Sequence, residues 1–170
     1  TASVAAVLTV TAVSVPTTAL ADFDRWLPFV LPDAPGCPRD TAIHHIRQAA
    51  IEFLELTHAW QQDLPVVQSV VGQTEYLMSL PPSSAAVKLF GFRWNKNDSR
   101  VIDAADGRSQ NAAWHRGELA AWIVNRATVG INPAPTAALI AMEFCVSLKP
   151  TQAAMDLPDE IFEHYADAIS

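Results

Sequence analysis

Only two cysteines, Cys37 and Cys145, occur in 170 residues, and they form no Cys-x-x-Cys pair. That is too few for the disulfide framework of a small secreted domain and the wrong pattern for a redox or zinc motif, so both are expected as unbridged, buried thiols. Six glycines are scattered. None falls in a Gly-x-Gly-x-x-Gly or Gly-x-x-x-x-Gly-Lys-Ser/Thr pattern, so no backbone cradle for a phosphate is encoded. A Gly-x-Ser-x-Gly nucleophile elbow is missing too. Charge is sparse and of the wrong sign for nucleic acid: 11 Lys+Arg against 18 Asp+Glu give a net charge of -7. A protein that grips DNA by neutralising phosphates needs the opposite balance. What is plentiful is apolar surface, at 50% of residues with a mean hydropathy of +0.14. That suffices for a packed core and lies outside the composition of disordered chains, at a length suited to about one domain.

Residues 1–21 carry no charge at all. Leu8, Val10, Val13 and Val15 are set among Thr, Ser and Ala in a largely alternating, β-branched pattern, which predicts a strand able to add to a sheet edge. The run is too rich in Thr and Ser to span a bilayer. Ala19-Leu20-Ala21 before Asp22 also has the small-x-small form of a cleavage site, which supports an alternative reading as an exported soluble binding protein.

From Asp22 the pattern changes. Four prolines between Pro28 and Pro38 forbid a continuous helix and predict a packed, irregular segment. Asp40 or Thr41 is positioned to cap a helix over 40–60, whose stripe is Ile43, Ile46, Ala50, Phe53, Thr57 and Trp60. Ile51, Leu54 and Leu56 widen that surface, enough either to touch a neighbouring subunit or to be buried on two sides. A β-rich part over 64–148 follows. Val66–Val71 and Thr74–Leu80 read as a hairpin turning at Gly72-Gln73; Val87–Trp94 and Arg100–Ile102 form the next pair. A second hairpin turns at Asn125-Arg126, and Leu139–Leu148 is the main strand. Leu157-Pro158 opens a helix over 158–170, with Asp159 and Glu160 at its positive end. Its apolar face is Ile161, Phe162, Tyr165, Ala168 and Ile169. The expected fold class is α+β: a few helices packed with an antiparallel β-rich insertion.

Chemistry-bearing patterns are thin. Glu55-x-x-His58 puts a carboxylate and an imidazole on one helical face, but carboxylate-bridged metal bundles need that motif twice. Glu160 and His164 stand at i, i+4, and His44-His45 point apart on a helix. No catalytic site, metal or cofactor is expected. The five tryptophans fall in different predicted elements, as core anchors do. Charge is segregated: Lys88–Arg126 holds seven bases and four acids, whereas residues 151–170 hold five acids and no Lys or Arg.

One ordered set of segments carries a family resemblance. It comprises Trp26-Leu27-Pro28, Leu31-Pro32-Asp33-Ala34-Pro35-Gly36-Cys37-Pro38, a helix ending near Trp60, Gly72-Gln-x-Glu-Tyr76, Asn132-Pro-Ala-Pro135, Leu148-Lys149-Pro150 and Leu157-Pro-Asp-Glu-Ile-Phe-Glu-His-Tyr165. Together these resemble the head-to-tail adaptor (neck or connector) proteins of tailed bacteriophages over residues 22–170, a single adaptor domain. The resemblance implies a non-enzymatic virion protein of the neck, assembled in the host cytoplasm as a ring, dodecameric in this family, between portal protein and tail or nozzle protein. DNA would pass through without being specifically bound, and no membrane is involved. It further implies that Ile161, Phe162, Tyr165 and Ile169 dock on the portal or a neighbouring subunit; the alternative is that this helix lies back on the 40–60 helix and completes the core.

Overall fold

The computed structural model describes residues 20–101 and 119–169, and its fold is α+β. The proposed strand-adding residues Leu8, Val10, Val13 and Val15 lie outside the described residues, as does Trp114. Chain order runs β1 (Leu20–Asp22), a 3-10 turn (Phe23–Trp26), α1 (Leu27–Val30), α2 (Arg39–Thr57) and β2 (Gln61–Asp63). Then follow β3 (Val67–Gln68), β4 (Glu75–Leu77), β5 (Ser84–Trp94), β6 (Asn97–Val101), β7 (Ala120–Asn125) and β8 (Thr128–Asn132). The last elements are β9 (Ala141–Pro150), β10 (Asp156–Pro158) and α3 (Asp159–Ile169).

Two large hydrophobic cores form among the described residues, with a small third cluster at Ala120 and Trp122. The helical core gathers Phe23, Trp26, Ile46, Ala50, Leu54, Leu157, Ile161 and Ile169. It is closed by the antiparallel pair β1–β10, in which Ala21 faces Leu157. Leu20 and Ala21 therefore belong to the fold, which moves the boundary expected at residue 21, and a cut after Ala21 would remove two of the strand's three residues. The proline-rich segment contains more helix than proline spacing suggests. Pro28 sits in the first turn of α1, where its missing N–H costs nothing, and Gly36 takes the left-handed backbone (φ +86°) that ends the segment.

α2 starts one residue before the expected position and stops three short. Pro38, not Asp40 or Thr41, occupies the N-cap, and no side-chain capping bond forms there. At the other end His58 turns left-handed (φ +54°) and returns its N–H to the Leu54 carbonyl at 3.1 Å. This frees Gln61–Asp63 to pair with β9. Trp60 is thus outside the helix. The buried face is Ala42, Ile46, Ala50 and Leu54, with Ile43 and Phe53 half-buried, so Leu54 takes the inner place expected of Thr57.

The β module forms a sheet in the order β2-β9-β5-β6-β7-β8-β4, with β3 also pairing β9. Pairings are antiparallel except β6–β7, which is parallel. β9 pairs with three strands, β2, β3 and β5, and its Met142, Phe144, Val146 and Leu148 alternate inward, all at most 1% exposed. The second hairpin is β7–β8, where Gly130 leaves room for the Trp122 indole to lie across it; a Cβ there would stand 2.6 Å from the ring. The sheet curls back, because the Ala86 amide donates to the Arg126 carbonyl at the β7–β8 tip, 3.0 Å away. The hairpin expected across Gly72 is corrected. Gly72 does turn the chain (φ +76°), but β3 pairs with β9 and β4 with β8, so the two arms leave for different partners. Trp60 packs against both cores and joins the modules.

Candidate interaction surfaces

The C-terminal helix is the first place to look for a docking face, and there the expectation needs correction. Ile161 and Ile169 are buried in the helical core, 4% and 3% exposed. Phe162 meets Trp26 edge to face at 4.7 Å between ring centroids, and Tyr165 meets Phe53 at 5.3 Å. The Arg25 guanidinium lies over the Phe162 ring at 4.1 Å and pairs with Asp159. Ile161, Phe162, Tyr165 and Ile169 are therefore not a free apolar face. The physical reason is that the 3-10 turn, α1 and α2 present Trp26, Phe29 and Phe53, against which Phe162 and Tyr165 pack. What α3 shows outward is Glu160, Glu163, His164, Asp167 and Ala168, the last expected on the apolar face.

The Glu55/His58 pair is also taken up within the chain. Glu55 binds Lys149 of β9 at 2.7 Å. The His58 ring nitrogen Nδ1 lies 3.3 Å from the hydroxyl of Ser147, which is fully buried, and the ring stands edge-on to Phe90. Both contacts tie the end of α2 to the outer face of β9. Among the described residues no three His, Cys, Asp or Glu side chains gather as a metal site would require. His44 and His45 are exposed, with their rings 5.6 Å apart. Neither cysteine is bridged, and both are half-buried.

On the outer face of β9 and β5 an open cleft of about 230 Å³ is lined by Asp63, Gly91, Arg93, Asp98, Glu143 and Cys145. Gly91 sits at a register irregularity of β5, and its missing side chain forms the floor: a Cβ there would stand 3.3 Å from that of Cys145. Arg93 donates to Asp98 at 3.1 Å and to Glu143 at 3.4 Å. Those carboxylates, Asp98 foremost, raise the guanidinium's pKa. Burial pushes the Cys145 thiol up, Asp63 adds to the rise by hydrogen bonding and charge, and Arg93 opposes it. The cleft thus sets three carboxylates against one guanidinium, with the Cys145 thiol beside Asp63.

No family model and no curated protein matches the chain. Among the described residues, no helix is long and apolar enough to cross a membrane.

A second surface lies at one end of the β module, where two loops are laced together. Ser69, 1% exposed, exchanges backbone hydrogen bonds with the 139–140 segment: its amide donates to Ile140 and its carbonyl accepts from Leu139, both at 2.9 Å. Its hydroxyl donates to the Ala137 carbonyl and accepts from the Ile140 amide. The Tyr76 hydroxyl accepts from the Val70 amide at 3.1 Å and stands within donating distance of the Val70 and Gln73 carbonyls. The Gly72 amide reaches the Pro135 carbonyl at 2.9 Å. Fully satisfied buried polar groups make this end rigid. The sequence pattern puts Ser69 in a hairpin arm and Leu139 at the start of the main strand; β3 ends at Gln68 and β9 runs over Ala141–Pro150, so both residues belong to the loops instead, in stretches (64–74 and 127–142) that contain no charged side chain.

Proposed function

We propose that the chain is a structural subunit of a head-to-tail adaptor ring of the tailed-bacteriophage type, seated between a portal protein and a tail or nozzle protein. One observation carries the reading: the segments that resemble adaptors, scattered along the sequence, meet one another in space. Trp26 packs on Phe162 of the Leu157–Tyr165 segment, and Arg25 beside it pairs with Asp159. The Gly72–Tyr76 segment bonds to the Asn132–Pro135 segment, Gly72 to Pro135 directly and Thr74 to the adjoining Ile131. Leu148-Lys149-Pro150 pairs with the start of β5, and Lys149 binds the end of α2. Signals that belong to one fold are expected to meet in this way, and the order of the segments along the chain supports the same reading. A net charge of -7 suits a ring that lets DNA slide past without holding it.

The test is direct. Purified portal rings mixed with the full chain, imaged by electron microscopy, are expected to gain a ring of extra density on their tail-facing side. Portals that stay bare at saturating concentration of the chain overturn the reading.

A further inference from the structure

We propose that Met155 is an oxidation site, and that Arg47 receives the oxygen of its sulfoxide and so tightens the loop before β10 onto α2; the proposal does not rest on the adaptor reading. The chain has three methionines. Met78 and Met142 lie in the β core at 4% and 0% exposure, whereas Met155 is 71% exposed in the loop between β9 and β10. Thioether oxidation follows access, so a dissolved peroxide reaches one of the three.

What stands beside the sulfur matters more than its exposure. Arg47 projects from α2 toward this loop, with its guanidinium 5.5 Å from the centre of the Phe23 ring. Nη1 donates to the Gln152 carbonyl at 3.3 Å, and Nη2 donates to the Met155 sulfur at 3.9 Å. Nε is buried and has no partner among the described residues. The donors of a charged group are thus met by one long bond to a carbonyl and by a thioether, which is a weak acceptor. An oxygen added to that sulfur supplies the acceptor the guanidinium lacks, in a charge-assisted hydrogen bond roughly twice as strong as a neutral one.

The step needs a peroxide and nothing else. A sulfur lone pair attacks one oxygen of hydrogen peroxide, the S–O bond forms and the O–O bond breaks. The second oxygen leaves as hydroxide and takes the proton of the first, so sulfur is oxidised to the sulfoxide and the peroxide is reduced to water. The consequence reaches the helical core. The Phe23 amide donates to the Met155 carbonyl at 3.4 Å, one step beyond the Asp22–Asp156 register pair of β1 and β10. Fixing Met155 on Arg47 steadies that long bond at the start of the 3-10 turn that carries Trp26. Methionine oxidation ordinarily loosens a structure by putting a polar oxygen into a core; here the sign is reversed.

The experiment treats the full chain with hydrogen peroxide, locates the added oxygen by peptide mass mapping and follows amide exchange. Met155 is expected to gain oxygen ahead of Met78 and Met142. Exchange should then slow about fivefold at the Phe23 amide and at the Ala154 amide, which donates to Thr151 within the loop. Methionine sulfoxide reductase should restore the original rates. In Arg47→Gln the sulfur should still oxidise with no slowing. Should that variant lose its thermal transition, two substitutions at Met155 decide instead: Met155→Gln, which offers Arg47 a carbonyl oxygen, should slow the same amides without peroxide, and Met155→Leu should not. Buried methionines that oxidise as fast as Met155 overturn the proposal. So does exchange that is unchanged or faster after oxidation, slowing that persists in Arg47→Gln, or equal exchange in the two Met155 variants.

Discussion

The helical core and the β core are assembled from the chain in opposite ways. The β core is drawn from one continuous stretch, with its buried side chains supplied by strands between β2 and β9. The helical core joins the two ends of the described chain: the 3-10 turn and α1 meet α3, and Arg25 and Asp159 pair across 134 positions. A β module has in effect been set between α2 and β10. The lesson is that α3 is a closing piece. Removing it would take Ile161 and Ile169 out of the helical core, while none of its side chains belongs to the β core.

The largest test of this contrast is truncation at the two centres. Trp26, 0% exposed, and Phe144, 1% exposed and stacked on Phe92 at 5.3 Å, are the anchors. Trp26→Ala and Phe144→Ala should each cost about 3–5 kcal/mol in urea unfolding. Both are expected to shift a single transition, because Trp60 packs in both cores and its carbonyl accepts the Leu148 amide at 2.8 Å. Separate transitions by far-ultraviolet circular dichroism and by near-ultraviolet aromatic signals would break the coupling. Trp60→Ala is expected to produce that separation.

The two modules were also unequally legible. The Asn125-Arg126 turn made the β7–β8 hairpin readable and a long apolar run made β9 readable, although its bounds moved two residues along, to Ala141–Pro150. Stripe periodicity found α2 but carried it through Trp60, since nothing local announces that His58 will turn left-handed. The apolar face of α3 was read correctly at Ile161, Phe162, Tyr165 and Ile169, but Ala166 rather than the exposed Ala168 packs with them, and the partner of the face was not foreseen. Amphipathic periodicity says that Ile161 and Phe162 need covering and is silent on whether α1 or another subunit covers them. The Gly72 turn was visible, while the separate partners of β3 and β4 depend on long-range pairing that no short window contains. The role of Ser69 was missed because nothing in the pattern marks a buried serine until its four hydrogen bonds are seen.

A smaller effect sits at the seam between modules. Glu55 and Lys149 join α2 to β9, but Glu55 is half exposed, and exposed pairs contribute little. Glu55→Gln is expected to cost about 0.5 kcal/mol at low salt and less at high salt. A double-mutant cycle with Lys149→Gln should assign most of that to the pair. A loss that does not depend on salt would mean that the contact acts through packing of the lysine stem.

The smallest effect is confined to the outer face of the β module and has a definite sign. The Cys145 thiol is held above its ordinary value of 9.0, first by burial and then by Asp63. A raised value means that the folded state keeps the proton longer than the unfolded chain. The contribution is therefore fully present below the ordinary value and is lost as pH rises through the folded one. The stability of wild type relative to Cys145→Ala should accordingly decline only in alkaline solution, with no change around neutrality. Alkylation at mildly alkaline pH should be slower than for a cysteine in an unstructured peptide, because the thiolate is the reactive form. The flanking charges fix the direction of the variants. Asp63→Asn removes a group that raises the thiol and should speed alkylation; Arg93→Gln removes the one that lowers it and should slow it further. Equal rates in all three proteins would show that burial alone governs the thiol, and that the charges of the cleft stop at the Arg93 ion pairs.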